Sequence, residues 1–119
     1  NARRIPAEAL PGPVDLVTVD VSFISSTLVL PSVRERCPAA EVLVMVKPQF
    51  EAGRGQVGKG GVVRDDAVRE AAVERVVACA AELGLREAGR AESRLPGPKG
   101  NREVFLWLRP ADAAEAPRA

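Results

Sequence analysis

Three charged residues, each next to a short apolar run, are the best candidates for chemistry in this sequence. Asp20 follows one such run, Lys47 follows a second, and Glu103 directly precedes a third. Apolar runs of this kind are typical of strands in a parallel sheet that is buried on both faces. Ligands of open sheets bind at the carboxyl ends of the strands. We therefore expect Asp20 and Lys47 at one edge, joined by Glu103 if its strand runs antiparallel.

The chemistry available to this edge is set by the residue types that the sequence lacks. It has no histidine and no tyrosine, so lysine, carboxylates and cysteine are the groups left for acid–base work. Lys47 follows five apolar residues and precedes Pro48, where desolvation favours a neutral amine that can act as a base. Each residue also has a plainer interpretation. Lys47 could reach solvent, Asp20 could cap the following turn, and Glu103 could be a solvated edge residue.

The order of predicted elements indicates the second half of a doubly wound α/β domain, with a mostly parallel sheet and an antiparallel last strand. The elements are a strand at 14–21, a helix capped by Ser25 or Ser26, a strand at 42–46, a glycine-rich loop at 48–64, a helix from Asp65 or Asp66 to Gly84, a weak edge strand at 85–94 and a strand at 103–108. We assign residues 1–109 to this domain and 110–119 to a frayed tail.

Composition places the chain in a reducing, soluble setting. The 119 residues are 46% hydrophobic with a net charge of +1, which fits one domain or part of one. Cys37 and Cys79 suit the cytoplasm, and because they lack neighbouring ligands we expect no metal site. No apolar run is long enough to cross a bilayer, so we expect no membrane partner. Phe105 and Trp107 are expected in the core.

Two loop stretches that contain no acidic residue, 52–64 and 93–102, are candidates for contact with a phosphate backbone. The first carries Arg54, Lys59 and Arg64, and the second carries Lys99 and Arg102. The alternative, which composition leaves equally open, is that both are flexible loops that keep the protein soluble.

Four short strings together resemble the TlyA (hemolysin A-like) family of ribosomal RNA methyltransferases, which share the FtsJ-like Rossmann fold. The strings are, in chain order, VDVSFIS at Val19–Ser25, VKPQFE at Val46–Glu51, GKGGVVR at Gly58–Arg64 and GNRE at Gly100–Glu103. The likeness covers about residues 1–109, and it is the combination in this order that makes it specific.

The resemblance implies a Rossmann-like class I methyltransferase that uses S-adenosylmethionine and a Lys-Asp-Lys-Glu tetrad to methylate ribose 2′-hydroxyls. Three members of the tetrad carry over to this sequence: Asp20 as the acid, Lys47 as the second lysine and Glu103 as the glutamate. Asp20 and the backbone of Val21 and Ser22 are the candidate cofactor contacts. The first lysine, the glycine-rich cofactor turn and an S4 RNA-binding domain would lie upstream of this sequence.

Two functional hypotheses follow. The first is a ribosomal RNA ribose methyltransferase in the cytoplasm, acting on ribosomal RNA or a ribosomal subunit, of which this chain is a C-terminal part that is inactive alone. The alternative is a non-catalytic α/β module that binds RNA or a protein. A chain without the first half would expose the edge of the strand at 14–21, so we expect it to self-associate there.

Overall fold

The computed structural model describes residues 5, 12–52, 57–58, 61–94 and 100–111. Four strands, a 3₁₀ turn and three α-helices make up this part of the chain. They are β1 (Leu16–Val19), the 3₁₀ turn (Ser26–Leu28), α1 (Leu30–Arg36), β2 (Glu41–Val46), α2 (Pro48–Glu51), α3 (Asp66–Glu82), β3 (Leu85–Glu92) and β4 (Val104–Pro110).

The four strands form one mixed sheet in the order β1-β2-β4-β3. β1 and β2 are parallel, whereas β4 runs antiparallel to both of its neighbours. The last pair in the β2–β4 ladder joins Val46 to Val104, so Lys47 and Glu103 flank that pair. The predicted sheet with an antiparallel last strand is confirmed, and β1 lies at an edge of the described sheet.

Helix α3 begins and ends where the sequence predicts. The Asp65 carboxylate accepts a hydrogen bond from the Ala67 amide at 2.8 Å, which satisfies a donor that the helix itself cannot pair. Gly84 adopts a φ of 77°, a left-handed conformation that glycine tolerates and that ends a helix. The buried stripe of this helix consists of Ala72, Val73, Val76 and Ala80.

The first predicted helix is divided into two pieces. Ser25 caps only the 3₁₀ turn, accepting from the Thr27 amide at 3.1 Å, and α1 starts afterwards at Leu30. Pro31 explains the division, because proline lacks an amide donor and is tolerated only in the first turn of a helix. Pro48 likewise begins α2, so the segment predicted as loop from residue 48 starts with one helical turn.

The core lies on one face of the sheet. Val42, Val44 and Val46 of β2 are buried there, and α1 and α3 contribute to the same cluster. The side chains between them, Leu43 and Met45, are only half-buried. The prediction of strands buried on both faces is therefore wrong for this chain, because the two longer helices cover the same face.

The two aromatic residues of β4 lie on the other face, so the prediction that they belong to the core is wrong. Trp107 is 41% exposed and Phe105 is half-buried. The Trp107 indole Nε1 donates to the Glu41 carboxylate at 2.7 Å, and the Arg109 guanidinium lies 5.8 Å from the ring centroid. The carboxylate pairs the indole N–H and the guanidinium lies near the ring. The apolar core forms on the other face of the sheet.

The C-terminal boundary differs by one residue from the prediction. Pro110 is buried and ends β4 opposite Leu85, so it is not part of a frayed tail. Residues 112–119 lie outside the described part of the chain. Within that part, no helix has the length and apolar character needed to cross a membrane.

Candidate active site

The structure brings Asp20, Lys47 and Glu103 to one edge of the sheet. Asp20 comes directly after β1 and Lys47 directly after the parallel strand β2. Glu103 comes directly before β4, whose antiparallel direction puts its start at the same edge. This is the edge at which open α/β sheets bind ligands. The fold alone therefore places an acid, a lysine and a second acid side by side.

Lys47 is held at this edge by the segment that follows β1. Its Nζ lies 2.5 Å from Oδ1 of Asp20 and donates to the Ser22 hydroxyl at 3.3 Å. The Lys47 side chain is only 13% exposed, whereas that of Asp20 is 61% exposed. The lysine side chain is thus mostly covered by protein, and its acidic partner remains open to solvent.

Glu103 has a different partner. Its side chain is buried, and its Oε2 accepts a hydrogen bond from Nε2 of Gln49 at 3.1 Å. In the described part of the chain, the ion pair of Lys47 is with Asp20 and not with Glu103. Glu103 is therefore a carboxylate in a dry position, held by a neutral amide beside a lysine that it does not pair.

Gln49 is a site residue that sequence reasoning missed. Its other amide atom, Oε1, is buried and has no hydrogen-bond partner. Buried acceptors are nearly always paired in folded proteins, so an orphan acceptor beside a candidate catalytic carboxylate is notable. The only sequence signal is its position two residues after Lys47 in the VKPQFE string.

Glu51, from the same string, is a second residue that sequence reasoning missed. Its carboxylate is buried and accepts from the Ser26 amide at 2.7 Å and from the Ser25 hydroxyl. Its backbone carbonyl accepts from the Arg75 guanidinium of α3. Glu51 therefore fixes the segment that carries Asp20 against the segment that follows β2.

Phe23 projects from this edge in an unusual conformation. Its φ is 70°, a left-handed value that a bulky residue adopts only when its surroundings impose it. The side chain is 87% exposed, and its ring lies 5.1 Å from that of Phe50, centroid to centroid, in a tilted arrangement. An aromatic face is thus presented to solvent one residue after Ser22, which contacts Lys47.

The predicted cofactor contacts lie together on the segment that directly follows β1. Asp20 and Ser22 are exposed, and Val21 packs against the core cluster. Exposed polar groups on a segment anchored by an apolar residue suit a ligand at the carboxyl edge, so these three residues fit an S-adenosylmethionine site in part. Among the described residues, no cluster of acids or cysteines is placed to hold a metal ion.

Of the predicted RNA-binding residues, Arg64 and Arg102 are described and both are exposed. Arg102 lies 3.8 Å from the Glu92 carboxylate in an exposed pair. Arg54, Lys59 and Lys99 lie outside the described residues.

Comparison with known proteins decides between families of this fold. Residues 1–110 match the sequence model of the FtsJ-like methyltransferases. The chain belongs to this family. It is 51% identical over 111 residues to the 16S/23S rRNA (cytidine-2′-O)-methyltransferase TlyA of Mycobacterium tuberculosis, covering 92% of this chain and 41% of that protein. It is 40% identical over 107 residues to Hemolysin A of Brachyspira hyodysenteriae, covering 88% and 45%.

A solved structure supports the same assignment. The FtsJ-like chain superimposes on the crystal structure of a hemolysin-named protein from Lactococcus lactis with a TM-score of 0.86 and 38% identity, covering 92% of this chain and 53% of the other. The resemblance and the fold class predicted from sequence are both confirmed. The chain spans about two fifths of the length of the curated relatives it matches.

Proposed function

We propose that the full-length FtsJ-like methyltransferase containing this chain methylates a ribose 2′-hydroxyl of ribosomal RNA, with Asp20, Lys47 and Glu103 in its active site. The observation that carries the proposal is the largely buried Lys47 side chain, whose amine contacts Asp20 at the carboxyl edge of the sheet. The Mycobacterium tuberculosis relative is named for cytidine 2′-O-methylation of 16S and 23S rRNA, which supports the substrate class. A ribosomal substrate also supports a cytoplasmic location.

Lys47 is the group that activates the nucleophile. A ribose hydroxyl is a poor nucleophile at neutral pH and needs a base within hydrogen-bond reach. The Lys47 ammonium first loses one proton to water by way of Asp20, and the neutral amine then accepts the hydroxyl proton as the ribose oxygen attacks the methyl group. Asp20 contacts Lys47 and is open to solvent, so it provides a route by which the lysine returns that proton to water. Glu103, whose carboxylate is held by Gln49, orients the ribose from the start of β4, the strand next to β2.

S-adenosylmethionine, when bound, supplies the electrophilic methyl group of this reaction. Asp20, Ser22 and the Val21 backbone would hold it from the β1 side, and upstream residues would supply the remaining walls. These groups do no covalent chemistry. Their contribution is to hold the reacting atoms in line, which is a large part of the rate enhancement of a two-substrate reaction.

Contacts to the RNA come from an aromatic residue and from arginine and lysine residues. Phe23, with its exposed ring, is suited to stack on the target base or on a neighbouring base. Arg64 and Arg102 are exposed and suited to phosphate contact. Arg54, Lys59 and Lys99, which lie outside the described residues, remain RNA contacts proposed from the sequence.

The test is to identify the methylated atom. The full-length protein is incubated with ribosomal RNA and isotopically labelled S-adenosylmethionine, and the digested nucleosides are separated by mass spectrometry. We expect label in a 2′-O-methyl nucleoside. Label in the base, or RNA binding without any transfer, would contradict the proposal, and the second result would favour the non-catalytic binding module.

We expect the 119-residue chain alone to behave differently from the full-length protein. We propose that it offers one wall of the cofactor site, and in the part of the chain that the structure describes, the outer edge of β1 has no strand partner, which favours association. Calorimetry should therefore detect no S-adenosylmethionine binding, and size-exclusion chromatography should show a dimer or larger species. The full-length protein is the positive control. A monomeric chain that binds the cofactor at micromolar concentration would overturn this expectation.

A further inference from the structure

Asn101 joins two segments that are far apart in sequence. It is buried, its Oδ1 accepts from the Val63 amide at 2.9 Å, and its Nδ2 donates to the Gly61 carbonyl at 2.9 Å. One side chain thus satisfies both a donor and an acceptor of a glycine-rich backbone. Because Glu103 follows two residues later, the glycine-rich segment is attached directly to the strand that carries a candidate catalytic acid.

The described residues of this segment contact one another closely. The Gly58 amide donates to the Val62 carbonyl at 2.8 Å, and the Gly61 amide donates to the Gly58 carbonyl at 3.1 Å. A Cβ atom at Gly58 would lie 2.8 Å from the Val62 carbonyl oxygen and 2.9 Å from Nη1 of Arg64. Arg64 therefore lies against Gly58, and these described residues form one unit.

The same attachment relates the two basic loops. Arg64 directly follows Val63, which bonds to Asn101, and Arg102 directly follows Asn101 itself. Both arginines are exposed. Phosphates of one RNA strand recur at fixed spacing, so cations on separate loops act together only if the loops keep a fixed relation. Asn101 provides that relation beside the carboxyl edge.

We propose that Asn101 is a positioning residue that joins the segments carrying Arg64 and Arg102 into one phosphate-binding surface. The proposal rests on the function proposed above. It assigns Asn101 no contact with the reacting atoms. Its replacement should therefore weaken RNA binding while leaving the methyl-transfer step intact once RNA is saturating.

The principal variant is Asn101→Ala in the full-length protein. We expect the KM for ribosomal RNA to rise roughly tenfold, with kcat changed by less than about twofold. The salt dependence of RNA binding should also flatten, by about 0.7 to 0.9 log units of slope for each phosphate that the protein no longer neutralises. A lowered kcat with an unchanged KM, or an unchanged salt slope, would overturn the proposal.

A second variant approaches the same unit without touching Asn101. Gly58→Ala pushes a Cβ against Val62 and Arg64, so it should reproduce the raised KM and the flatter salt slope even if Asn101→Ala fails to fold. Gly12→Ala is the matched control, because nothing lies within 4 Å of a Cβ built there, and it should leave both quantities unchanged. Normal RNA affinity in Gly58→Ala would overturn the proposal.

A double variant tests whether Asn101 acts through the arginine. If it does, Arg64→Gln should weaken RNA binding less in the Asn101→Ala background than in the wild type. Fully additive effects would contradict the coupling. Failure of the proposed function would look different, because the wild-type protein would then bind RNA without transferring a methyl group. The binding measurements would still decide whether Asn101 positions the arginines.

Discussion

The carboxyl edge of the sheet and the β3 strand both carry acids and bases, yet they arrange them in opposite ways. On β3, Arg90 binds Glu87 at 2.5 Å and reaches Glu74 of α3 at 2.9 Å, and its side chain is 36% exposed. At the carboxyl edge, the lysine is more deeply buried, its acidic partner is in solvent, and the neighbouring buried acid binds a neutral amide.

This difference supports our proposal that the charges at the carboxyl edge serve chemistry, whereas those on β3 serve stability. Arg90 pairs with both Glu74 and Glu87, so the charges of this β3 cluster are satisfied within the protein. At the carboxyl edge, Lys47 and Glu103 flank the same strand pair without pairing, and Gln49 keeps a buried acceptor unused. Unpaired polar atoms in a dry position lower stability, and proteins retain them where function requires them.

The largest effect should follow from removing the lysine. Lys47→Ala in the full-length protein should slow methyl transfer by about 10²- to 10⁴-fold, the usual contribution of a general base. Single-turnover rates with saturating RNA measure this, and circular dichroism verifies the fold. Arg90→Gln on β3 is the control and should transfer at the wild-type rate. Equally slow methyl transfer in the two variants would contradict the proposed difference between the carboxyl edge and the β3 cluster.

A smaller effect should follow from replacing the amide beside Glu103. Gln49→Leu removes the hydrogen bond to the carboxylate, so Glu103 is free to shift, and misplacement on this scale costs roughly up to 10²-fold in rate. The same change leaves the buried Glu103 carboxylate without this donor, so urea unfolding should show a loss of stability of about 1 to 3 kcal/mol. Wild-type turnover in Gln49→Leu would mean that Gln49 does not position Glu103.

The smallest effect concerns β3 itself. The hydrogen bond from Arg90 lowers the pKa of Glu87 below its ordinary value of 4.5. The contribution of the Glu87–Arg90 pair to folding stability is therefore complete above pH 4.5. It disappears as the pH falls through the lowered pKa of Glu87. Because the pair is largely exposed, Arg90→Gln should cost less than about 1 kcal/mol at neutral pH. The stabilities of the variant and the wild type, measured by urea unfolding, should differ at neutral pH and converge at strongly acidic pH. A constant difference would contradict this.

The sequence was sufficient to predict the edge but not the contacts within it. Asp20 and Lys47 meet because parallel strands end at the same edge, which the apolar runs reveal. Asp65 and Gly84 mark the ends of α3 because capping depends on local chemistry. Such features are determined within a few residues, or by topology alone.

The remaining features depend on contacts between distant segments. Gln49 binds Glu103, which is 54 residues away in the sequence, and Glu51 binds Ser26, which is 25 residues away. No local sequence pattern encodes these contacts. The sequence predicts Trp107 in the core because aromatic residues in strands are usually covered. Its exposure follows from the placement of α1 and α3 on the opposite face, which strand periodicity cannot indicate.

The most direct test of the central claim compares Lys47→Arg with Lys47→Ala. Arginine keeps a positive charge that can pair with Asp20, but its guanidinium does not deprotonate in proteins and cannot act as a base. If Lys47 accepts the hydroxyl proton, single-turnover methyl transfer by the full-length Lys47→Arg protein should be as slow as that of Lys47→Ala. Recovery of most of the wild-type rate by arginine would show that Lys47 supplies charge alone, and it would contradict the assignment of Lys47 as the base.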